Sequence, residues 1–201
     1  MSMIGVSIPL STASMLTEIQ VPGDREAASD LHITLLNLGD ALPISTIARV
    51  TEVAYEVIAT FQPFTVKTTK IIGFPEGKHG VPVVCEIESE SLHALWGRLG
   101  EAFDKAGIEY SKKFPIYRPH VTLSWSDRPF KPIKLPPVEW GVSEITIWGG
   151  DQGERRVMVN IPITIASRAA SKQSIVLGSR VTSTERVVLR FQLTKSGIWS
   201  T

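Results

Sequence analysis

The chain has 201 residues, 43% hydrophobic and 20% charged, with a net charge of +1. These proportions describe one globular domain of ordinary size or two small lobes, and no stretch approaches the apolar length of a membrane-spanning helix. A charge so close to zero gives the whole chain no electrostatic pull toward nucleic acid or an anionic membrane.

The charge is unevenly placed. Residues 166–201 carry Arg168, Lys172, Arg180, Arg186, Arg190 and Lys195 against Glu185 alone, so the body, 1–165, is mildly acidic. The single cysteine, Cys85, lies in the apolar run Val-Pro-Val-Val-Cys-Glu-Ile-Glu and is read as a small buried hydrophobe. A lone cysteine and an N-terminus without a basic flank or a long apolar run lead to the expectation of a cytoplasmic protein.

In chain order, Met3–Leu10 is apolar and short, a first strand. Ser11–Ala28 mixes Ser, Thr, charges and the turn pair Pro22-Gly23 and reads mainly as loop. Asp30–Leu38, DLHITLLNL, is a strand. A helix opens at Pro43-Ile44-Ser45, where Ile47, Val50, Val53, Ala54, Val57 and Ile58 recur at helical spacing. Phe64–Phe74 alternates as a strand should, and Pro75–Gly80 is a turn-rich loop. Val81–Glu88 is a nearly continuous apolar strand, which predicts a buried place in a sheet. A second helix follows Ser89–Ser91, with Leu92, Leu95, Trp96, Leu99, Ala102 and Phe103 on one stripe and Gly107 at its stop. Pro119–Trp125, PHVTLSW, is the next strand and Asp127–Pro137 a Pro- and Lys-rich loop. Val142–Trp148 and Arg156–Ile163 are strands joined as a hairpin through Gly149–Gly153.

The elements run β-β-α-β and then β-α-β-β-β, each half holding one helix and one histidine-bearing strand. This predicts a duplicated, two-lobed α+β domain over residues 1–165, its strands meeting across a cleft. The tail, 166–201, is read as a basic extension. It is either a β-hairpin of Gln173–Leu177 and Arg186–Leu193, able to add strands to a second copy and so support a homo-oligomer, or a disordered end.

The two histidine strands share the pattern His-aliphatic-Thr-Leu: His32-Ile33-Thr34-Leu35 and His120-Val121-Thr122-Leu123, 88 residues apart. Alternation puts His and Thr on one face and the aliphatic residues on the other. Two imidazoles that titrate near neutrality can hold opposite protonation states, one accepting and one donating a proton. The threonine hydroxyls beside them can donate to the non-bridging oxygens of a phosphodiester. Neither a metal nor a cofactor is called for: His79 and His93 stand in a glycine-rich loop and on a helix, away from any ligand-like spacing. A single His-x-Thr in a strand is ordinarily structural; two copies, using two of four histidines, point to a shared site.

Over residues 1–165 the chain resembles the 2H phosphoesterase superfamily, which includes the RNA 2′,3′-cyclic phosphodiesterases, also called 2′-5′ RNA ligases. The runs that carry the likeness are His32-Ile33-Thr34-Leu35-Leu36-Asn37-Leu38-Gly39-Asp40 and Pro119-His120-Val121-Thr122-Leu123. The resemblance implies a bilobal fold with pseudo-twofold symmetry about a central cleft and metal-independent hydrolysis of a phosphodiester. It implies that His32 and His120 are the acid–base pair and that Thr34 and Thr122 hold the phosphate. The substrate class it implies is a 2′,3′-cyclic phosphate of RNA or a nucleotide, or a cyclic oligonucleotide signal of the kind some viral relatives destroy. A nucleotide-binding or virion-associated assembly module on the same fold is the alternative.

Members of the RNA-ligase type often carry Arg two residues after the second motif's Leu, where this chain has Trp125. Strict alternation puts Trp125 on the apolar face with Val121 and Leu123, as core packing. Charge to replace that Arg can come from Arg118, Lys78 or Lys112-Lys113, and Tyr117, Trp140 and Trp148 are the rings available to stack a base, Trp148 fitting core better. The partner this predicts is a nucleotide or short RNA, with no membrane involved.

Overall fold

The computed structural model describes residues 1–149 and 156–164. In chain order they form β1 (Ser2–Ser7), α1 (Leu10–Glu18), β2 (Asp24–Arg25), a 3₁₀ turn (Ala28–Asp30), β3 (His32–Gly39), α2 (Ile44–Ile58), β4 (Phe64–Gly73), β5 (Val81–Glu88), α3 (Glu90–Ala106), β6 (His120–Ser126), β7 (Ile133–Lys134), β8 (Glu139–Val142), β9 (Glu144–Gly149) and β10 (Arg156–Pro162). The expected extension over 166–201, its hairpin and its role in assembly lie outside the described residues, as do residues 150–155 between β9 and β10.

The strands make an antiparallel sheet in the order β10-β9-β1-β3-β6-β5-β4-β7, with β2 on β6 and β8 on β4. Its two lobes are the flanks of this sheet, and they meet where β3 touches β6 at the pair Ile33–Val121. The fold is the α+β, bilobal one that the pattern predicts. The lobes are not the two halves of the chain, however. β1 and β3 are completed by the C-terminal β9 and β10, whereas β4 crosses to pair with β5. Strand pairing follows edge complementarity rather than sequence proximity, so a duplicated motif does not require contiguous lobes.

The helices cover one face of the sheet. In α2, Ile47, Val50, Ala54, Val57 and Ile58 are buried, the helical stripe the sequence predicts. In α3, Ser89 caps the start by accepting from the Leu92 amide at 3.3 Å, and Gly107 ends it at φ 65°. Leu92, Leu95, Leu99 and Phe103 enter the core with Ile33, Leu35, Val121 and Leu123 of the histidine strands. No helix among the described residues is long and apolar enough to cross a membrane.

Four elements depart from expectation: β2 and β7 stand in stretches read as loop, β8 lies almost wholly ahead of the strand read over Val142–Trp148, and α1 replaces the start of the first loop. Leu10–Glu18, read as the end of the first strand and the start of a loop, is α1, which buries Thr12, Ala13 and Leu16. Its Ser and Thr residues are weak helix formers and its apolar stripe is two residues long, so periodicity carried no signal. Packing supplies the stability instead. The resulting order β1-α1-β3 repeats as β5-α3-β6: strand, helix, histidine strand.

Candidate active site

The face of the sheet opposite the helices is the cleft. β3 and β6 are antiparallel where Ile33 faces Val121, so His32 falls beside Thr122 and Thr34 beside His120. Ile33 and Val121 are fully buried in the core, and their neighbours on both sides project the other way. Four polar side chains, two imidazoles and two hydroxyls arranged crosswise, therefore occupy the centre of the cleft floor.

Each histidine is oriented by the same local device. The Nδ1–H of His32 donates to the carbonyl of Asp30 at 2.7 Å, and that of His120 to the carbonyl of Arg118 at 2.6 Å. A carbonyl only accepts, so Nδ1 carries a proton and Nε2 becomes the nitrogen for proton exchange. Each ring also rests against an aromatic from the strand two places away. Trp148 of β9 lies 5.6 Å from His32, and Phe74, just past β4, lies 4.8 Å from His120 in an edge contact.

The repetition extends to the backbone. Opposite β1, pairing jumps from Leu36–Ile4 to Thr34–Gly5; opposite β5, it jumps from Ser124–Val83 to Thr122–Val84. Leu35 and Leu123 are thus extra residues, β-bulges at equivalent points. A bulge shifts the phase of alternation. Leu35, Leu36 and Leu38 are all buried while Asn37 is half-buried; Leu123, Ser124 and Ser126 are all buried while Trp125 is half-buried. Asn37 and Trp125 accordingly join the histidine faces.

This corrects the reading of Trp125 as core. Its strand partner is Pro82, and its indole Nε1–H donates to the Glu26 carboxylate at 3.0 Å, with the His79 ring 5.8 Å away. Trp148 is likewise on the cleft face, against His32, rather than in the core. Trp140 is the reverse case: it is buried within the core cluster.

Tyr117 stacks on Trp96 at 5.3 Å and 5°, packs against His93, and donates its hydroxyl to the Thr34 carbonyl at 3.1 Å. Burial raises its pKa. It rivets α3 to β3 behind the site. Arg118 lies over the Phe74 ring at 4.5 Å and pairs with Glu86 at 2.5 Å; Lys70 joins the same carboxylate at 3.2 Å. Glu86 is the strand partner of His120. Lys78 is exposed in the loop closed by the Gly77–Gly80 bridge. Lys112 pairs with Asp104 at 2.7 Å, and Lys113 lies over Phe114. Cys85 is buried, and desolvation pushes its thiol up to about 12, which leaves it inert as a nucleophile.

The environment of His120 lowers its pKa. Burial penalises the imidazolium most; the Arg118 guanidinium opposes it further, while the Arg118 carbonyl and Glu86 act in its favour. The ring is therefore held toward its neutral form.

The site is thus a pseudo-twofold pair of His-x-Thr strands, each bulged after the motif. Residues 9–154 match the family model described as the 2′-5′ RNA ligase superfamily. The chain belongs to this superfamily, the 2H phosphoesterases. Solved structures agree on the fold. TT0787 of Thermus thermophilus superposes with a TM-score of 0.69 at 18% identity, over 81% of this chain and 97% of that one. A protein described as a phosphoesterase gives 0.62 at 17%, over 82% and 98%. E. coli LigT, solved in complex with 3′-AMP, gives 0.58 at 19%, over 82% and 98%. No curated protein matches the chain by sequence. This member of the superfamily carries both His-x-Thr pairs, with Trp125 five residues after the second histidine.

Proposed function

We propose that this 2H phosphoesterase hydrolyses a cyclic or 2′-linked nucleotide phosphodiester, with the 2′,3′-cyclic phosphate of RNA or of a nucleotide as its leading substrate. The observation that carries the reading is the antiparallel crossing at Ile33–Val121, which sets each histidine beside the other strand's threonine. A phosphate seated over that crossing meets a hydroxyl donor and an imidazole from either side.

In this reading His120, held neutral, takes a proton from water at Nε2 as the water oxygen attacks phosphorus. His32 enters protonated and delivers its Nε2 proton to the ribose oxygen as the P–O bond breaks. Thr34 and Thr122 donate to the non-bridging oxygens, where charge builds in the transition state. The product is a phosphomonoester with one free ribose hydroxyl. Solvent then removes the proton from His120 and restores that of His32.

Phosphorus NMR of the purified protein with a 2′,3′-cyclic nucleotide, and in parallel with a 3′,3′-cyclic dinucleotide, tests this directly. EDTA is present in both. Turnover lost in both His32→Ala and His120→Ala supports the reading, and the phosphate's final position identifies the bond cut. Turnover that survives either substitution, or none of either substrate by a folded protein, counts against it.

A further inference from the structure

We propose that Trp125 is the platform on which the substrate's nucleobase stacks, a specificity residue at one end of the cleft. The inference rests on the phosphodiesterase reading above and deepens it.

The bulge at Leu123 turns Trp125 onto the face of His120 and Thr122, opposite Pro82 and outside the core cluster of the described residues. It is the next residue of that face after Thr122, about 7 Å further along the strand at a rise of about 3.3 Å per residue. That is the scale of one ribose, so a phosphate held by Thr122 has its own nucleoside over the indole. Because β3 runs antiparallel, this is the end of the cleft at which His32 stands. A base there puts the ribose oxygens on the His32 side.

The indole is held as a fixed plane. Its Nε1–H is tied to Glu26, and the His79 ring meets it nearly at right angles, 77°. Glu26 reaches it because the segment before β3 lies tight along β6: its amide bonds to the Leu123 carbonyl at 2.9 Å. Gly23 makes that approach possible. Its φ is +87°, and a Cβ there would overlap the Trp125 carbonyl oxygen.

Among the described residues, two other aromatic rings on this face are already engaged. Trp148 packs against His32 and Phe74 against His120. The pseudo-twofold counterpart of Trp125 is Asn37, whose carboxamide oxygen accepts from the Gly39 amide at 2.8 Å. One end of the cleft thus offers an aromatic plane and the other a small polar group, which fixes the direction in which a nucleotide lies. A stacking plane accepts any base, because every base has a π face.

The test compares Trp125→Leu, which keeps apolar bulk, with Trp125→Phe, which keeps a ring. Both are assayed with adenosine 2′,3′-cyclic phosphate and with methyl riboside 2′,3′-cyclic phosphate, which has no base. Trp125→Leu is expected to raise KM for the nucleoside substrate between about fivefold and a hundredfold, with kcat little changed. Trp125→Phe should recover most of that loss, and the base-free substrate should be indifferent to both. An equal KM change on both substrates, or none on either, overturns the platform.

Equilibrium binding of adenosine 3′-monophosphate, read by tryptophan fluorescence quenching, keeps the two readings apart. If neither cyclic substrate turns over but the wild type is quenched and Trp125→Leu is not, hydrolysis fails and the platform stands. If binding is unchanged in Trp125→Leu, or the wild type binds nothing, the platform fails.

Discussion

The two lobes repeat one backbone and differ in the residue that faces each histidine, Ser7 in one and Glu86 in the other. Across the β1–β3 pair His32 faces Ser7, which shares a hydrogen bond with Thr146 at 2.9 Å, and Trp148 supports the ring. Around His120 the equivalent position is Glu86, gripped by Arg118 and Lys70, with Phe74 between Arg118 and the ring. Both imidazoles receive the same Nδ1 hydrogen bond, the same adjoining threonine and the same bulge just after the motif's threonine. The lesson is a division of labour. Symmetric backbone sets the geometry of the grip, while the burial and side chains around His120 hold that ring toward its neutral form. A symmetric pair of bases alone has no reason to choose.

The largest expected effects test what the lobes share. Removing either imidazole, in His32→Ala or His120→Ala, should cost about 10²- to 10⁴-fold in kcat, the range for one positioned proton-transfer group. Phosphorus NMR measures it, and a much larger loss from one histidine than from the other would break the symmetric description of the grip. Thr34→Val and Thr122→Val come next. Each removes one donor to the phosphate at nearly constant volume and should lower kcat on the order of 10²-fold. Steady-state kinetics on the cyclic nucleotide checks this, and a rise in KM with kcat intact would mean that the hydroxyls bind the ground state alone.

Smaller effects test what the lobes do not share. In the proposed mechanism His120 works from its neutral form, so activity should fall as pH drops through its lowered pKa. The Arg118 guanidinium helps hold that pKa down. Arg118→Ala should therefore move the acidic limb of the pH–rate profile to higher pH. Glu86→Gln removes a charge that favours the imidazolium and should move it to lower pH. Ser7→Ala, the matching change in the other lobe, should leave that limb where it is. Arg118→Ala and Glu86→Gln profiles that coincide with wild type would remove the electrostatic basis for assigning the base. The smallest effect concerns packing. Tyr117→Phe loses one hydrogen bond from the hydroxyl to the Thr34 carbonyl and should lower stability by about 1 kcal/mol in a denaturant titration, with kcat close to wild type.

Much of the site is local in origin. A short strand alternates its side chains whatever it packs against, so His32 with Thr34 and His120 with Thr122 were readable as two shared faces. The stripes of α2 and α3, the Ser89 cap and the Gly107 stop are properties of single short segments. Helix α1 was not readable in this way, since Leu10–Glu18 has little helical preference and is held by the core it covers. The wrong phase at Trp125 has a different cause. Alternation predicts a face only as far as the ladder is regular, and a bulge is set by how two strands pair. One signal was available: HITLLN and HVTLSW run in step, and the polar Asn37 stands at the aliphatic phase that Trp125 occupies in the second run.

The residue types proposed to do the chemistry, their 1,3 spacing and the family they mark were thus properties of the linear chain, because a strand's periodicity is intrinsic to its backbone. Which strands became neighbours was not. The crossing at Ile33–Val121, the recruitment of β9 and β10 to the first lobe, the charges around His120 and the turn of Trp125 into the cleft all depend on pairing between residues far apart in sequence. Only the closed sheet, with its registers and bulges, supplies that information.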